Sequence, residues 1–472
     1  MLRFRSILTI LALCVCALFA GCRANGNPFG SQNQSGNSSV VLAVTDTPPS
    51  TVSVLSAEVT LTGATLTPGN VSIFSGSTTI ELTRLQTDVA FLATAANVPA
   101  GAYTGVTLTF ANPLLTIEND TNAAIGGCAV GSVCTIAPTS VANLSTTASL
   151  QMAPVAANST AGVLLDVNLD NLLSATLGAD FKNGVTASPF TPAGAGAPLV
   201  GAEDVVGQVT ALDAAHNSFT FQNATGTFSL AVDGSTSFFQ VPGSACTITA
   251  FSGIHVNQIL SVDIGIHADG TLGARNLVCE DSDNSDAEIE GMITATNVGQ
   301  LQFSIVTLAE SVSVSGLHTG DVATVHYSAA PQTPFDIDLA HADNVQVSTA
   351  GFLFAAPTDL SIGQQVSIRR NAGSSGTSIT ADRVRLRSSR ISANVQSVGA
   401  PNINLGSIPS IFSGHGVTQI QVQTSPQTIL SENNAAIVFT QIPVSGLVSA
   451  RGQLFNVSGT RTMVATKVVL KP

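Results

Sequence analysis

Apolar residues recur at every second position over short stretches along most of this chain. Gly105-Val106-Thr107-Leu108-Thr109-Phe110 and Ser218-Phe219-Thr220-Phe221 are clear cases, and Val40-Val41-Leu42-Ala43-Val44 opens the series. Val, Ile, Thr and Phe fill the alternating places, and Gly, Pro, Asn or Asp interrupts the runs about every ten residues. A strand sends successive side chains to opposite faces, so the pattern predicts half-buried strands joined by turns. Helical periodicity is weak, and its best candidates, Asp88 to Asn97 and Asn168 to Ala175, are short. The expected fold class is all-β.

The strands group into units. The Pro, Ala and Gly density of residues 184–203, GVTASPFTPAGAGAPLVGAE, predicts a linker after an N-terminal β-sandwich-like domain over residues 40–183. Three landmarks then recur in order. The first is Val206-Gly207-Gln208-Val209-Thr210-Ala211, then Glu290-Gly291-Met292-Ile293-Thr294-Ala295, then Ser392-Ala393-Asn394-Val395-Gln396-Ser397. The second is Leu260-Ser261-Val262, Val366-Ser367-Ile368 and Val448-Ser449-Ala450. The third is Gly270-Thr271 with Ala274 and Leu277, Gly376-Thr377 with Ala381 and Val384, and Gly459-Thr460 with Ala465 and Val468. They predict three small β-barrel or sandwich repeats, over 204–280, 289–388 and 389–472, with an acidic linker at 281–288.

The N-terminus reads differently. Arg3 and Arg5 precede an apolar run from Ile7 to Ala20 that suits a signal peptide and is short for a membrane span. Leu18-Phe19-Ala20-Gly21-Cys22 resembles a bacterial lipobox, with Phe19 where Leu is usual. The resemblance implies a signal peptide over 1–21 and lipids on Cys22. Residues 22–39, rich in Gly, Asn, Gln and Ser, are then a flexible tether. Arg23 after the Cys, in place of Asp, leans towards the outer membrane, on its periplasmic or surface face.

Only 10% of the residues are charged, against roughly 25% in an average soluble domain. Such a chain must coat its surface with Ser, Thr, Asn, Gln and Gly. The formal charge of −13 argues against a basic face for phosphates, so nucleic acid is excluded as a partner. Beyond the leader and Cys22, the remaining cysteines are Cys128, Cys134, Cys246 and Cys279. An even number in an exported chain suggests disulfides. Cys128 with Cys134 would staple a local loop and Cys246 with Cys279 a longer one, although other pairings are open.

No phosphate loop, nucleophile elbow or His-Glu-x-x-His helix is present. His216, His255, His267, His318, His326, His341 and His415 avoid the landmarks and read as surface or turn residues. The stretch Glu280 to Glu288 is oxygen-rich, but Asp286 and Met292 stand where an EF-hand needs Gly and Glu, so it reads as a solvated linker, with weak calcium binding the alternative. Asp46 is expected to cap the turn at Thr47-Pro48-Pro49. Asp166 and Asp170 form a carboxylate pair that a hydrolase could use, but no aromatic-lined cleft is evident. Trp is absent and Tyr occurs twice, which disfavours sugar stacking.

Two family resemblances rest on these motifs. Val44-Thr45-Asp46-Thr47-Pro48, Leu82-Thr83-Arg84-Leu85-Gln86, Val98-Pro99-Ala100-Gly101-Ala102-Tyr103-Thr104 and Leu164-Leu165-Asp166-Val167-Asn168-Leu169 resemble the domain of unknown function numbered 4382. The repeats, opening on Gly-x-Val-Thr-Ala and closing on Gly-Thr…Ala-x-x-Val, resemble the domain of unknown function numbered 5666, and Ala393 departs from the opening Gly. Both resemblances imply bacterial lipoproteins and carry no activity. The expected function is therefore a non-catalytic, lipid-anchored cell-envelope protein acting as a structural or interaction module. A glycan- or calcium-binding surface lipoprotein is the alternative. No catalytic residue, cofactor or metal is expected; the expected partners are the membrane, through the anchor, and an envelope protein or polysaccharide.

Overall fold

A computed structural model describes residues 37–48, 53–192, 202–223, 226–240, 246–284, 287–338, 352–371, 374–432, 435–457 and 459–471. The leader, Cys22, nearly all of the tether, residues 193–201 and His341 lie outside the described residues.

The described chain is all-β, as the alternation predicts, with four groups of sheets. The first group is a sandwich. One sheet runs Val185–Phe190, Thr160–Asn168, Asn37–Thr47, Ala90–Pro99, with the two inner strands parallel. The other runs Val71–Glu81, Ser53–Thr67, Gly105–Glu118, Val133–Ile136, and Ser145–Ser149 also pairs with Gly105–Glu118. Two sequence expectations change here. Residues 185–190, assigned to a linker by their Pro and Ala, extend the first sheet, because Pro189 sits on an edge strand where its missing N–H does no harm. Asp88 to Asn97 is mostly strand, since Ala90–Pro99 pairs with Asn37–Thr47, and Asn168 to Ala175 keeps only the turn Leu169–Leu172 as helix.

Val40 to Val44 is fully apolar rather than alternating for a reason the sheet makes plain. Val40, Leu42 and Val44 fill the sandwich core, while Val41 and Ala43 pack outward against the first barrel. A strand covered on both faces needs apolar residues at every position.

The three repeats share one strand order. The first barrel uses Val205–Asp213, Ser218–Gln222, Thr227–Ala231, Ile259–Ile266 and Leu272–Asp281. The second uses Glu288–Asn297, Gln302–Glu310, Val322–His326, Gln365–Arg370 and Ser378–Leu386. The third uses Ser388–Gly399, Asn402–Gly406, Ile420–Gln423, Leu447–Val457 and Thr460–Leu470. In each, strands one to three form a meander, strand one also pairs with strand four, four with five, and five closes on three in parallel. This is the five-stranded Greek-key order of an OB-fold, so the repeats are barrels, and closure leaves few exposed edges.

The landmarks are the parts that closure requires. Val209, Ile293 and Val395 each precede a bulge in strand one, where pairing with strand two slips between Val209 and Ala211, Ile293 and Ala295, and Val395 and Ser397. A bulge sharpens the coil of a strand that must pair on both sides around a small barrel. Gly207 is needed for close approach, since a Cβ there would lie 2.6 Å from Gln222 O and from the Phe221 ring. Gly270, Gly376 and Gly459, each before a Thr, turn the chain from strand four to strand five at φ of 83°, 52° and 87°. The Ala and apolar residues that follow face the barrel cores.

The barrels are not beads on a string. Met292, Val306, Leu308 and Val322 on the outside of the second barrel pack with Leu55 of the N-terminal domain into the apolar cluster of the third. Phe455 of the third barrel joins the second barrel's core, its ring 4.7 Å from that of Phe352 and tilted by 31°. Burial of this kind contributes about 25 cal/mol for each Å² of apolar surface removed from water.

Candidate functional site

The four domains converge on a buried ionic hub. Its centre is Arg387, between the second and third barrels. Its guanidinium reaches Glu280 Oε1 at 3.3 Å, Glu290 Oε1 at 3.1 Å, Ser261 Oγ at 2.8 Å, and the Asp338 carboxylate. Arg385 Nη1 meets Glu280 Oε2 at 2.5 Å while its Nε meets Asp336 at 2.8 Å, and Arg383 adds a third contact to Glu280 at 3.4 Å. Arg451 of the third barrel bonds Glu203 at 2.5 Å and Asp204 at 2.6 Å, the two residues that lead into the first barrel. Arg390 bonds Asp88 of the N-terminal domain at 2.5 Å, and Arg84 of that domain bonds Glu290 at 2.6 Å.

These charges sit at matching places in the three repeats. Counting from the paired residues Val262↔Leu277, Ile368↔Val384 and Ala450↔Val468, the next pair is Asp263↔Asn276, Arg369↔Arg383 and Arg451↔Lys467. Three residues beyond Leu277, Val384 and Val468 stand Glu280, Arg387 and Lys471. Three before Gly207, Gly291 and Ala393 stand Asp204, Glu288 and Arg390. The first barrel is acidic where the third is basic, so copies of one fold meet with complementary charge.

Burying such groups is costly unless each is paired and hydrogen-bonded. In the hub each of the arginines named above faces at least one carboxylate. Burial alone would raise the Asp88 carboxyl, but Arg390, Arg451 and Lys467 outweigh it and hold it below its ordinary value. Burial works against the charge of Arg387, and its carboxylate neighbours, Asp338 first, keep it protonated.

The acidic stretch is exposed at residues 282–284, as a solvated linker would be, but its ends are not. Glu280, Asp281 and Glu288 are buried: Arg369 bonds Asp281 at 2.6 Å, and Ser367 donates to Glu288 at 2.6 Å. Residues 285 and 286, at its centre, lie outside the described residues. Among the described residues no three His, Cys, Asp or Glu converge as a metal-holding group.

The other candidate residues fall as follows. Cys128 pairs with Cys134 and Cys246 with Cys279, at Cα separations of 5.7 and 5.6 Å, distances compatible with disulfides. The turn that Asp46 is expected to cap runs into residues 49–52, which lie outside the described residues. The Asp46 side chain is fully buried, and burial raises its carboxyl well above its ordinary value against the pull of Lys471. Lys471 Nζ donates to the Asp46 carbonyl, 2.8 Å away. Asp166 accepts from Thr47 Oγ1 at 3.2 and 3.3 Å and feels Lys471, whereas Asp170 lies on the exposed turn Leu169–Leu172. His415 is not merely a turn residue, because its Nε2 lies 3.0 Å from Glu118 and links the third barrel to the N-terminal domain.

A cleft of about 290 Å³ opens where the N-terminal domain meets the first two barrels, lined by Ile80, Phe91, Phe228, Ile264 and Leu308 above Glu81 and Arg84. The floor is satisfied from within. Glu81 accepts from Ala57 N at 2.9 Å, Thr83 Oγ1 at 2.9 Å and Arg84 N at 3.0 Å. No helix of the described residues is long and apolar enough to cross a membrane.

The hub's arginines belong to none of the motifs named above. Their trace was visible in Arg383-Val384-Arg385-Leu386-Arg387, where three of only 16 basic residues alternate along the end of one strand and the residue after it. A cationic strand face in a chain so poor in charge must find its partners inside.

No family model matches the chain, and no curated protein matches it. One solved structure that it resembles is a multidomain protein with nucleic acid binding domains from Streptococcus pneumoniae TIGR4. The likeness covers 57% of this chain and 73% of that one, at 12% identity and a TM-score of 0.11. The exclusion of nucleic acid as a partner rested on net charge alone and is withdrawn. Net charge is a sum over the whole chain and does not describe any one face. A likeness this slight carries no argument about what the chain binds.

Proposed function

We propose that this chain is a non-catalytic envelope protein, held to a membrane by lipid on Cys22, whose four domains act as one stand-off body. The supporting observation is the hub. The chain's scarce charge is spent on fastening domains together, with Arg387 joining Glu280 of the first barrel, Glu290 and Asp338 of the second, and Asp204, which leads into the first. Asp166, the residue that a hydrolase reading would use, faces Lys471 at the contact between the N-terminal domain and the third barrel. The resemblance to the families numbered 4382 and 5666 belongs to the same reading.

The test is fractionation of the expressed full chain with intact-mass measurement. The expected mature protein begins at Cys22, carries acyl chains and enters the membrane fraction. Cys22→Ala moves it to the soluble fraction. An unmodified Cys22 in the wild-type protein would end the proposal.

A further inference from the structure

The N-terminal domain meets the second barrel along a seam unlike the hub. Ser56, Glu58 and Thr60 share one face of Ser53–Thr67, because alternate residues of a strand do. Ser56 pairs with Thr116, and Thr116 with Thr135. Both threonine hydroxyls donate to Gly320 O of the second barrel, at 2.5 and 2.8 Å. The approach is close: a Cβ on Gly320 would lie 3.1 Å from Thr116 Oγ1 and 3.4 Å from Ser56 Oγ. Asp321 follows Gly320, and both residues bond through their backbone to Thr307, on the strand that ends at Glu310.

Glu58, Glu310 and Asp321 thus collect at one contact, with Glu81 opposite Glu58 in the sheet. Cations are few. His318 Nδ1 lies 3.4 Å from Asp321, with its side chain 80% exposed, and Arg370 acts on Glu310 from beyond ion-pair distance. Among the described residues no Arg or Lys forms an ion pair with Glu58, Glu310 or Asp321.

We propose that this seam is a proton-operated latch: it closes when Glu58 and Glu310 carry protons and loosens when they ionise, while the hub holds the barrels together throughout. The titration of both groups agrees with the geometry. Burial, followed by Glu81, Asp321 and Glu310, pushes Glu58 up to about 7. Burial also pushes Glu310 to about 7, against the pull of the Val314 N–H and His318. A carboxyl raised in the closed state stabilises it fully below the ordinary value of 4.5, and that contribution is lost as pH rises through about 7. Each group can change the closed-to-open ratio by up to about tenfold per pH unit within that window.

Hydrogen exchange of the full chain, corrected for intrinsic exchange and compared at about pH 5.5 and about pH 8, tests the latch. Peptides spanning 53–60 and 307–321 are expected to lose protection at the higher pH, by tenfold or more, while peptides spanning 383–390 keep theirs. In the double variant Glu58→Gln and Glu310→Gln, whose amides mimic the protonated acids, the difference is expected to vanish. Glu58→Gln alone is expected to remove part of it. Equal protection of the wild-type seam at both pH values overturns the proposal. So does a variant that keeps the full pH response.

Discussion

At the hub Glu280 is met by Arg383, Arg385 and Arg387. At the seam between the N-terminal domain and the second barrel, Glu58 is met by Glu81, Asp321 and Glu310. Both contacts join parts of the chain far apart in sequence, and both remove carboxylates from water. The hub answers the desolvation with opposite charge on both sides. The seam answers with neutral hydroxyl contacts to Gly320 and leaves its acids to take up protons. The contrast shows how one chain can make some domain contacts permanent and others conditional.

Breaking the hub is expected to have the largest effect. Arg387→Ala leaves Glu280, Glu290 and Asp338 buried without their shared cation. Removing one side of a buried ion pair typically destabilises by about 3–5 kcal/mol. Denaturant unfolding followed by a probe in the third barrel should show the loss, and an unchanged midpoint would mean that the arginine is dispensable. Asp88→Asn is expected to cost less, about 2 kcal/mol, since an amide still accepts one bond from Arg390. Asp88 also has a pH signature. Its folded-state carboxyl is lowered, so its contribution is present above the ordinary value of 3.8 and lost as pH falls through the folded one. The variant should lose that part of the acid limb.

The contrast also marks what could be read from residues alone. Strand alternation, the Gly270-Thr271 landmark and the spacing of Cys128 and Cys134 are local, and their physical causes lie within a few residues. The continuous run Val40 to Val44 carried a further hint, a strand covered on both faces, that reading it as simple alternation hid. The hub was not legible in the same way. Asp88 and Arg390 are 302 residues apart, and their pairing depends on how the third barrel docks on the sandwich. The repeat itself was the usable clue. Aligning the three copies puts Glu280, Arg387 and Lys471 at one position, and a sign change there within a buried strand end implies that the copies face each other. Nothing local distinguishes Glu58 from an ordinary surface glutamate, because its neighbours Asp321 and Glu310 come from another domain.

The seam acids are expected to move stability in the opposite direction from the hub residues. Glu58→Gln or Glu310→Gln should stabilise the protein at about pH 8, where the wild-type groups are ionised. The rise from 4.5 to about 7 would correspond to roughly 3 kcal/mol for each group if fully buried, and partial exposure reduces this to about 1 kcal/mol. Below the ordinary value of 4.5 the variants and the wild type should converge, since the two groups are then neutral in the folded and the unfolded chain alike. Thermal unfolding at the two pH values measures the difference, and a variant destabilised at the higher pH would show that the charges there are favourable.

Added salt gives the smallest effect and separates the two regions by sign. At 1 M ionic strength the Debye length falls to about 3 Å, which screens charges that water can reach and leaves buried pairs almost untouched. Arg387 and Glu280 are only 4% and 1% exposed, so the hub should hold its strength. The seam repels itself, and its edge near His318 is open to solvent. Salt should therefore tighten it at about pH 8 by a few tenths of a kcal/mol, on the scale of exposed charge interactions. At about pH 5 the same salt should do much less there, because Glu58 and Glu310 are already neutral in the closed seam. Exchange of the 307–321 peptides with and without salt reads this directly. A seam that loosens in salt at the higher pH would mean that attraction to His318 or Arg370, not repulsion among the carboxylates, governs the contact.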